Sequence, residues 1–371
     1  MQEFSLIPKI CMIETCRDFL EQFQVGQKDV IITTKFLYET YFKDFELESR
    51  FMFQDQYGVG EPTEEMIASM YESMKEMNYS RIIAVGGGSV IDISKIFVLK
   101  NIFPLVDLFD KKIPATKEKE LIIVPTTCGT GSEVTNISIV NLTSVGSKKG
   151  LAIPELFPEY AVLIPEFVEK LPLSVFATSS IDALVHAVES FLSPKATAYS
   201  ELFSREAIQK ILTAYRNIKE EGLESRGKYI KDILIASNMA GIAFGNAGCA
   251  AVHAMSYPLG GKYHVPHGES NYVMFIEVLK YYYRKNSKGK IVILNEMIAK
   301  LLSCSTENVY AALEELLNTL IPKKRLSDYG VQKQELEEFT NIVMTQQQRL
   351  MANNYVFLDE KDIYTIYRSL Y

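Results

Sequence analysis

The first half of this chain alternates short β-rich runs with helical patterns, and after Leu171-Pro172-Leu173-Ser174 the strand signal stops. Asp29 to Thr34, Arg81 to Val85, Leu121 to Val124 and Ala161 to Ile164 have the apolar, β-branched character of buried strands. Between them, Phe36 to Phe45 and Thr63 to Met77 carry helical spacing, the second opened by Pro62, a Thr cap and Glu64 and Glu65 in its first turn. Such alternation predicts a parallel sheet covered by helices, with ligands bound beyond the carboxyl ends of its strands. From residue 174 onward, helical patterns follow over roughly 174–193, 197–220, 228–247, 269–283, 305–318, 331–351 and 359–369. At 371 residues the chain exceeds the usual size of one core. We therefore expect an α/β domain with a parallel sheet over 1–172 and an all-α domain over 173–371.

Two polar loops interrupt the α/β half just where strands end. The first, Gly86-Gly87-Gly88-Ser89, runs from a strand into the helical start Val90-Ile91-Asp92. Three glycines let a phosphate approach bare N–H groups at a helix amino terminus, where the dipole favours an anion. The run is neither G-x-G-x-x-G nor a P-loop, and a plain strand-to-helix turn would need no more than this. The second loop, Pro125-Thr126-Thr127-Cys128-Gly129-Thr130-Gly131-Ser132-Glu133, is too dense in hydroxyls for an ordinary surface turn. Its Thr126, Thr127 and Thr130 suit a pyrophosphate and a ribose.

In the helical half, three of the four histidines, His253, His264 and His267, fall between Cys249 and Asn271. The fourth, His186, follows Asp182 at i, i+4, which puts both side chains on one helix face. Imidazole and carboxylate donors suit a divalent ion such as Fe²⁺ or Zn²⁺. With no thiolate near these positions, the set points away from a closed structural zinc site and towards an open coordination position. The competing reading is an ordinary helix pair and loop histidines beside Gly-Pro turns.

Composition excludes several classes. A net charge of −7 with scattered Lys and Arg leaves no footprint for nucleic acid. No segment reaches the ~18 uninterrupted apolar residues of a membrane span, and the amino terminus lacks a basic region before an apolar run, so the expectation is a cytoplasmic protein without a membrane partner. Five widely spaced cysteines without a C-x-x-C pair indicate reduced thiols.

The motifs G-G-G-S-V-I-D, P-T-T-C-G-T-G-S-E-V-T, I-D-A-L-V-H-A-V-E and H-A-M-S-Y-P-L-G-G-K-Y-H-V-P-H-G, in this order, resemble those of the iron-containing, or group III, alcohol dehydrogenase family over nearly the whole chain. The resemblance implies a nucleotide-binding domain, a helical domain and a cleft between them, and a homodimer or higher homo-oligomer. It implies Asp182, His186, His253 and His267 as ligands of Fe²⁺, or of Zn²⁺, and leaves His264 outside the ligand set. It further implies NAD, with NADP as the alternative, held by Thr34, Gly86, Gly87, Gly88, Ser89, Asp92, Thr126, Thr127 and Thr130, with Lys149 on a ribose hydroxyl.

The expected chemistry is hydride transfer between a small alcohol or aldehyde and the nicotinamide, the metal lowering the pKa of the substrate hydroxyl. The form S-Y-P-L-G-G-K-Y-H-V-P-H-G-E resembles members acting on 4-hydroxybutyrate and succinate semialdehyde, whose carboxylate would be met by Lys262 and His264. Two departures bear on mechanism. Tyr257 stands where many members have a second histidine, which leaves Tyr257, His264 or water to carry the proton. Thr33-Thr34-Lys35 stands where many have an Asp set against a 2′-phosphate, which leaves Lys35 as partner of that phosphate should NADP be used. Alternatives are an alcohol or diol dehydrogenase of other substrate, a lyase resembling dehydroquinate synthase that returns its nicotinamide unchanged, and a non-catalytic protein on the same body.

Overall fold

The computed structural model describes residues 3–371 and divides into two compact units, Leu6–Lys170 and Leu171–Tyr371, the second also taking in the described residues up to Ser5. The division falls beside the Leu171-Pro172-Leu173-Ser174 stretch at which strand signals cease.

The first unit contains strands β1 (Lys9–Met12), β2 (Asp29–Thr33), β3 (Arg50–Phe53), β4 (Arg81–Gly86), β5 (Glu120–Pro125), β6 (Ile137–Leu142), β7 (Ser147–Ala152) and β8 (Tyr160–Leu163). Six of them form one parallel sheet in the order β1-β8-β5-β4-β2-β3. Its middle strands are covered on both faces, which is why they are near-continuous runs of Val, Ile and Leu. Alternation still sorts the side chains: Val30, Ile32, Ile82, Ala84, Leu121 and Ile123 pack into one core, and Ile31, Ile83, Val85, Ile122 and Val124 into the other. Register is pinned where Asp29 lies opposite Arg81, whose guanidinium reaches the carboxylate at 2.6 Å and also donates to the Phe23 carbonyl. Thr63 caps the helix Glu64–Met74 by accepting from the Met66 N–H, as its sequence signature suggests.

Several elements differ from expectation. β1 and β3 are short flanking strands with weak signals, and β6 and β7 pair as an antiparallel hairpin apart from the main sheet. Its Ser, Asn and Lys residues obscure the alternation, and it is held instead by the helix Gly88–Phe97, where Asp92 accepts from the Ile139 N–H at 3.0 Å.

The second unit has no strand among its described residues and is built from helices Leu173–Leu192, Ala198–Glu221, Ile230–Ala247, Ala251–Tyr263, His267–Lys285, Lys290–Leu302, Val309–Asn318, Glu335–Gln346, Gln348–Met351 and Glu360–Leu370. Leu173–Leu192 is long and apolar enough to cross a membrane by length and composition, but most of it is buried inside this unit as its core helix. Two helices escape the sequence pattern. Lys290–Leu302 lacks a capping residue, and Ala251–Tyr263 contains Pro258, Gly260 and Gly261. An interior proline costs about 3 kcal/mol of helix propensity, a cost set here against packing, since nearly every residue from Ala251 to Leu259 is buried.

Candidate metal centre and nucleotide loops

The core helix Leu173–Leu192 presents Asp182, His186 and Glu189 at i, i+4 and i+7, one face over two turns, all buried. The following elements bring the other donors to that face. His253 lies in the first turn of Ala251–Tyr263, and His267 opens His267–Lys285 directly after Pro266. Gly268 lets that second helix approach: a Cβ there would stand 1.9 Å from the Thr178 carbonyl oxygen of the core helix. The glycine of the P-H-G motif is therefore a spacing device that sets His267 against Asp182.

The donor atoms converge. His253 Nε2 lies 3.0 Å from His186 Nε2, and Asp182 Oδ1 lies 3.7 Å from both His253 Nε2 and His267 Nε2. Asp182 Oδ2 is 3.9 Å from His186 Nδ1. Ligands about 2.1 Å from one tetrahedral ion stand roughly 3.4 Å apart, so the Asp182, His253 and His267 donors, all within 4.8 Å of one another, fit a single divalent ion, while His186 faces His253 with Nε2 and Asp182 with Nδ1. Asn271 supplies a second sign of the same cavity. Its Nδ2 amide sits 2.7 Å from Asp182 Oδ1, 3.2 Å from His253 Nε2 and 3.3 Å from His267 Nε2, a donor group where three acceptors meet and where a cation fits. The Asn271 Oδ1 is buried without a partner.

Burial pushes the Asp182 carboxyl up, but His186, His267, His253 and the Asn271 amide outweigh it and hold the group below the usual carboxylate range. Glu189 accepts from His253 Nδ1 at 2.7 Å and from the N–H groups of Ala250 and Val252. That bond directs the His253 Nε2 lone pair at the cavity, the orienting role an outer carboxylate plays for a metal-bound histidine. Sequence reasoning missed Glu189 and Asn271, although the spacing from Asp182 to Glu189 carried the signal. It also erred in finding no thiol nearby. Cys249, His186 and His253 each offer a donor atom within 4.8 Å of the others, because the turn before Ala251–Tyr263 folds back onto the core helix.

The remaining candidates of this unit separate. Tyr257 is half-buried with its ring centroid 6.1 Å from that of His267. His264 is exposed and ends its helix in a left-handed conformation at φ 55°. Lys262 is held by Glu335 at 2.7 Å and Glu338 at 2.9 Å. A substrate carboxylate at Lys262 would have to compete with these two carboxylates.

In the α/β unit the two loops face each other at the carboxyl ends of neighbouring strands β4 and β5. A Cβ on Gly88 would lie 3.2 Å from the Thr130 methyl, and one on Gly87 would lie 3.5 Å from that of Thr127. Gly88 opens the helix Gly88–Phe97, leaving bare N–H groups between the loops, which suits a pyrophosphate. Ser89 donates to the Gly60 carbonyl, and Thr126 is buried. Asp92 is engaged inside the fold, accepting from Ser132 Oγ at 3.0 Å as well as from Ile139. One turn on, the fully buried Lys95 ammonium donates to Ser132 Oγ, Thr135 Oγ1 and the Ile137 carbonyl, and burial lowers its pKa to about 8. Asp92 and Lys95 thus tie the second loop to the helix that begins at the first. Lys149 lies on the hairpin, paired with Asp110 at 2.6 Å. Thr34 caps the short helix that follows β2, accepting from Leu37 N–H.

Comparison with known proteins bears on both sites. Residues 11–165 match the model of the iron-containing alcohol dehydrogenases, and residues 176–371 that of the Fe-containing alcohol dehydrogenase family, C-terminal. The chain is 48% identical to 4-hydroxybutyrate dehydrogenase of Clostridium kluyveri over 371 residues, all of both chains. It is 34% identical to long-chain-alcohol dehydrogenase 1 of Geobacillus thermodenitrificans, over 80% of this chain and 76% of that one. Among solved structures, sulfoacetaldehyde reductase from Bifidobacterium kashiwanohense in complex with NAD⁺ superposes with a TM-score of 0.86 at 21% identity, covering 100% of this chain and 98% of that chain, a likeness of fold.

Proposed function

The chain belongs to the iron-containing alcohol dehydrogenase family, and on that premise we propose that it interconverts 4-hydroxybutyrate and succinate semialdehyde with NAD. It is an oxidoreductase whose cofactors are a nicotinamide dinucleotide and iron. The observation that carries the substrate is the 48% identity, without a gap in coverage, to a 4-hydroxybutyrate dehydrogenase.

Asp182, His186, His253 and His267 would hold the ion, which supplies Lewis acidity at the substrate oxygen. Glu189 keeps His253 in the tautomer whose Nε2 can ligate, and the Asp182 carboxylate offsets part of the ion's charge. Tyr257, whose ring lies beside that of His267, would carry the hydroxyl proton. In the other unit, Gly86, Gly87, Gly88, Thr127 and Thr130 would cradle the pyrophosphate, the nicotinamide supplying the hydride acceptor. Asp92 and Lys95 keep the two loops in register while the nucleotide binds.

The proposal extends to a cytoplasmic homo-oligomer. An edge strand that exposes Ile10 at 41% and Met12 at 39% supports the second part, since lone chains seldom leave apolar edge strands bare.

A substrate panel tests the reading. NADH formation from 4-hydroxybutyrate, 1-butanol, ethanol, 1,2-propanediol, 1,3-propanediol and glycerol should give kcat/KM for the hydroxy acid on the order of 10⁴-fold above that for 1-butanol, the scale on which a site built for a polar group rejects its absence. Equal values for the acid and 1-butanol would remove 4-hydroxybutyrate as the substrate and leave a general alcohol dehydrogenase.

A further inference from the structure

We propose that Asp55 selects the unphosphorylated dinucleotide, its carboxylate accepting from the adenosine ribose hydroxyls and repelling a 2′-phosphate; the inference rests on the nucleotide site proposed above. Its basis is the order of chain ends along one edge of the sheet. β3, β2, β4 and β5 lie side by side, with Thr33 opposite Phe53, Ile32 opposite Ala84 and Gly86 opposite Pro125. Two residues beyond the Thr33 and Phe53 pair stand Lys35 and Asp55, and the Lys35 backbone N–H donates to both Asp55 oxygens, at 3.0 and 3.1 Å. The phosphate cradle after β4 is therefore flanked by the Thr-rich loop on the β5 side and by Asp55 with Lys35 on the β2 and β3 side.

Dinucleotide sites on parallel sheets place an acidic residue at the end of the strand beside the phosphate-binding one, on the ribose hydroxyls. The end of β2, Thr33-Thr34-Lys35, contains no acid. Asp55 reaches the same point from the neighbouring strand. One N–H uses a minor part of a carboxylate's acceptor capacity, which is about four lone-pair sites, so hydroxyl donors can still be met. Asp55 is half-buried, and among the described residues no ammonium or guanidinium is ion-paired with it.

Lys35 is the obvious rival, as a cation for a 2′-phosphate. Its ammonium is committed elsewhere, 2.8 Å from Glu39 and 5.0 and 5.1 Å from the ring centroids of Tyr38 and Phe53. A phosphate at this edge would thus meet a carboxylate before it met a free cation, and specificity here is exclusion by like charge.

The test is binding of NADH and NADPH, followed by nucleotide fluorescence in the parent, Asp55→Asn and Lys35→Met proteins. The parent should bind NADH on the order of 100-fold more tightly than NADPH, and Asp55→Asn, which keeps the shape and an acceptor for the Lys35 N–H, should shrink that ratio on the order of 30-fold. Lys35→Met should leave the ratio within about 3-fold, because its ammonium pairs with Glu39. A parent that binds both nucleotides equally, or an Asp55→Asn ratio equal to the parent's, overturns the role of Asp55. Binding of neither nucleotide by the parent overturns the nucleotide site itself.

Discussion

His267→Ala protein, loaded with Fe²⁺ or Zn²⁺ under conditions that saturate the parent, should lose more than 100-fold in metal affinity and most of its turnover. Removing an outer-shell partner alone costs about 10–100-fold, and His267 is one of the three groups whose acceptor atoms meet at the Asn271 amide. The helix it opens is fixed by other means, through Gly268 packed on Thr178, so circular dichroism and thermal unfolding should stay close to the parent's. Metal content by mass spectrometry after dialysis measures the effect. Full metal retention with full turnover in the His267→Ala protein would contradict the ligand assignment.

Gly88→Val should weaken nucleotide binding on the order of 100-fold while leaving the metal in place. The first Cβ already lies 3.2 Å from the Thr130 methyl, and two further methyls fill the gap between the loops where N–H groups must meet a pyrophosphate. Losing two charge-assisted hydrogen bonds at about 1.5 kcal/mol each weakens NADH binding on the order of 100-fold. Calorimetry with NADH reads the loss, and unchanged metal content shows that the helical unit is intact. An NADH affinity equal to the parent's would mean that the cradle lies elsewhere.

Much of this was legible in the sequence, for reasons that differ by element. β2, β4, β5 and β8 announce themselves because strands buried on both faces must be apolar throughout, and the Thr63 cap and the Asp182 to His186 spacing are local geometry. Where packing overrides local preference, the sequence misleads. Ala251–Tyr263 contains a proline and two glycines yet is a helix, because burial and the Glu189 carboxylate at its first N–H groups hold it. The roles of Glu189 and Asn271, the closeness of Cys249, and the pairing of Lys262 with Glu335 and Glu338 all depend on residues distant in sequence. The same holds for Asp55, which meets Lys35 only because β3 lies beside β2.

The dependence of net nicotinamide reduction on a divalent ion in the helical unit is what separates a dehydrogenase of this kind from its alternatives. It is tested most directly by stripping the protein with a chelator, restoring Fe²⁺ without oxygen, and following NADH during oxidation of 4-hydroxybutyrate. The stripped protein should be inactive, and the restored protein should form many equivalents of NADH per chain. NADH formation undiminished by chelation, or turnover of substrate without net NADH, would contradict it.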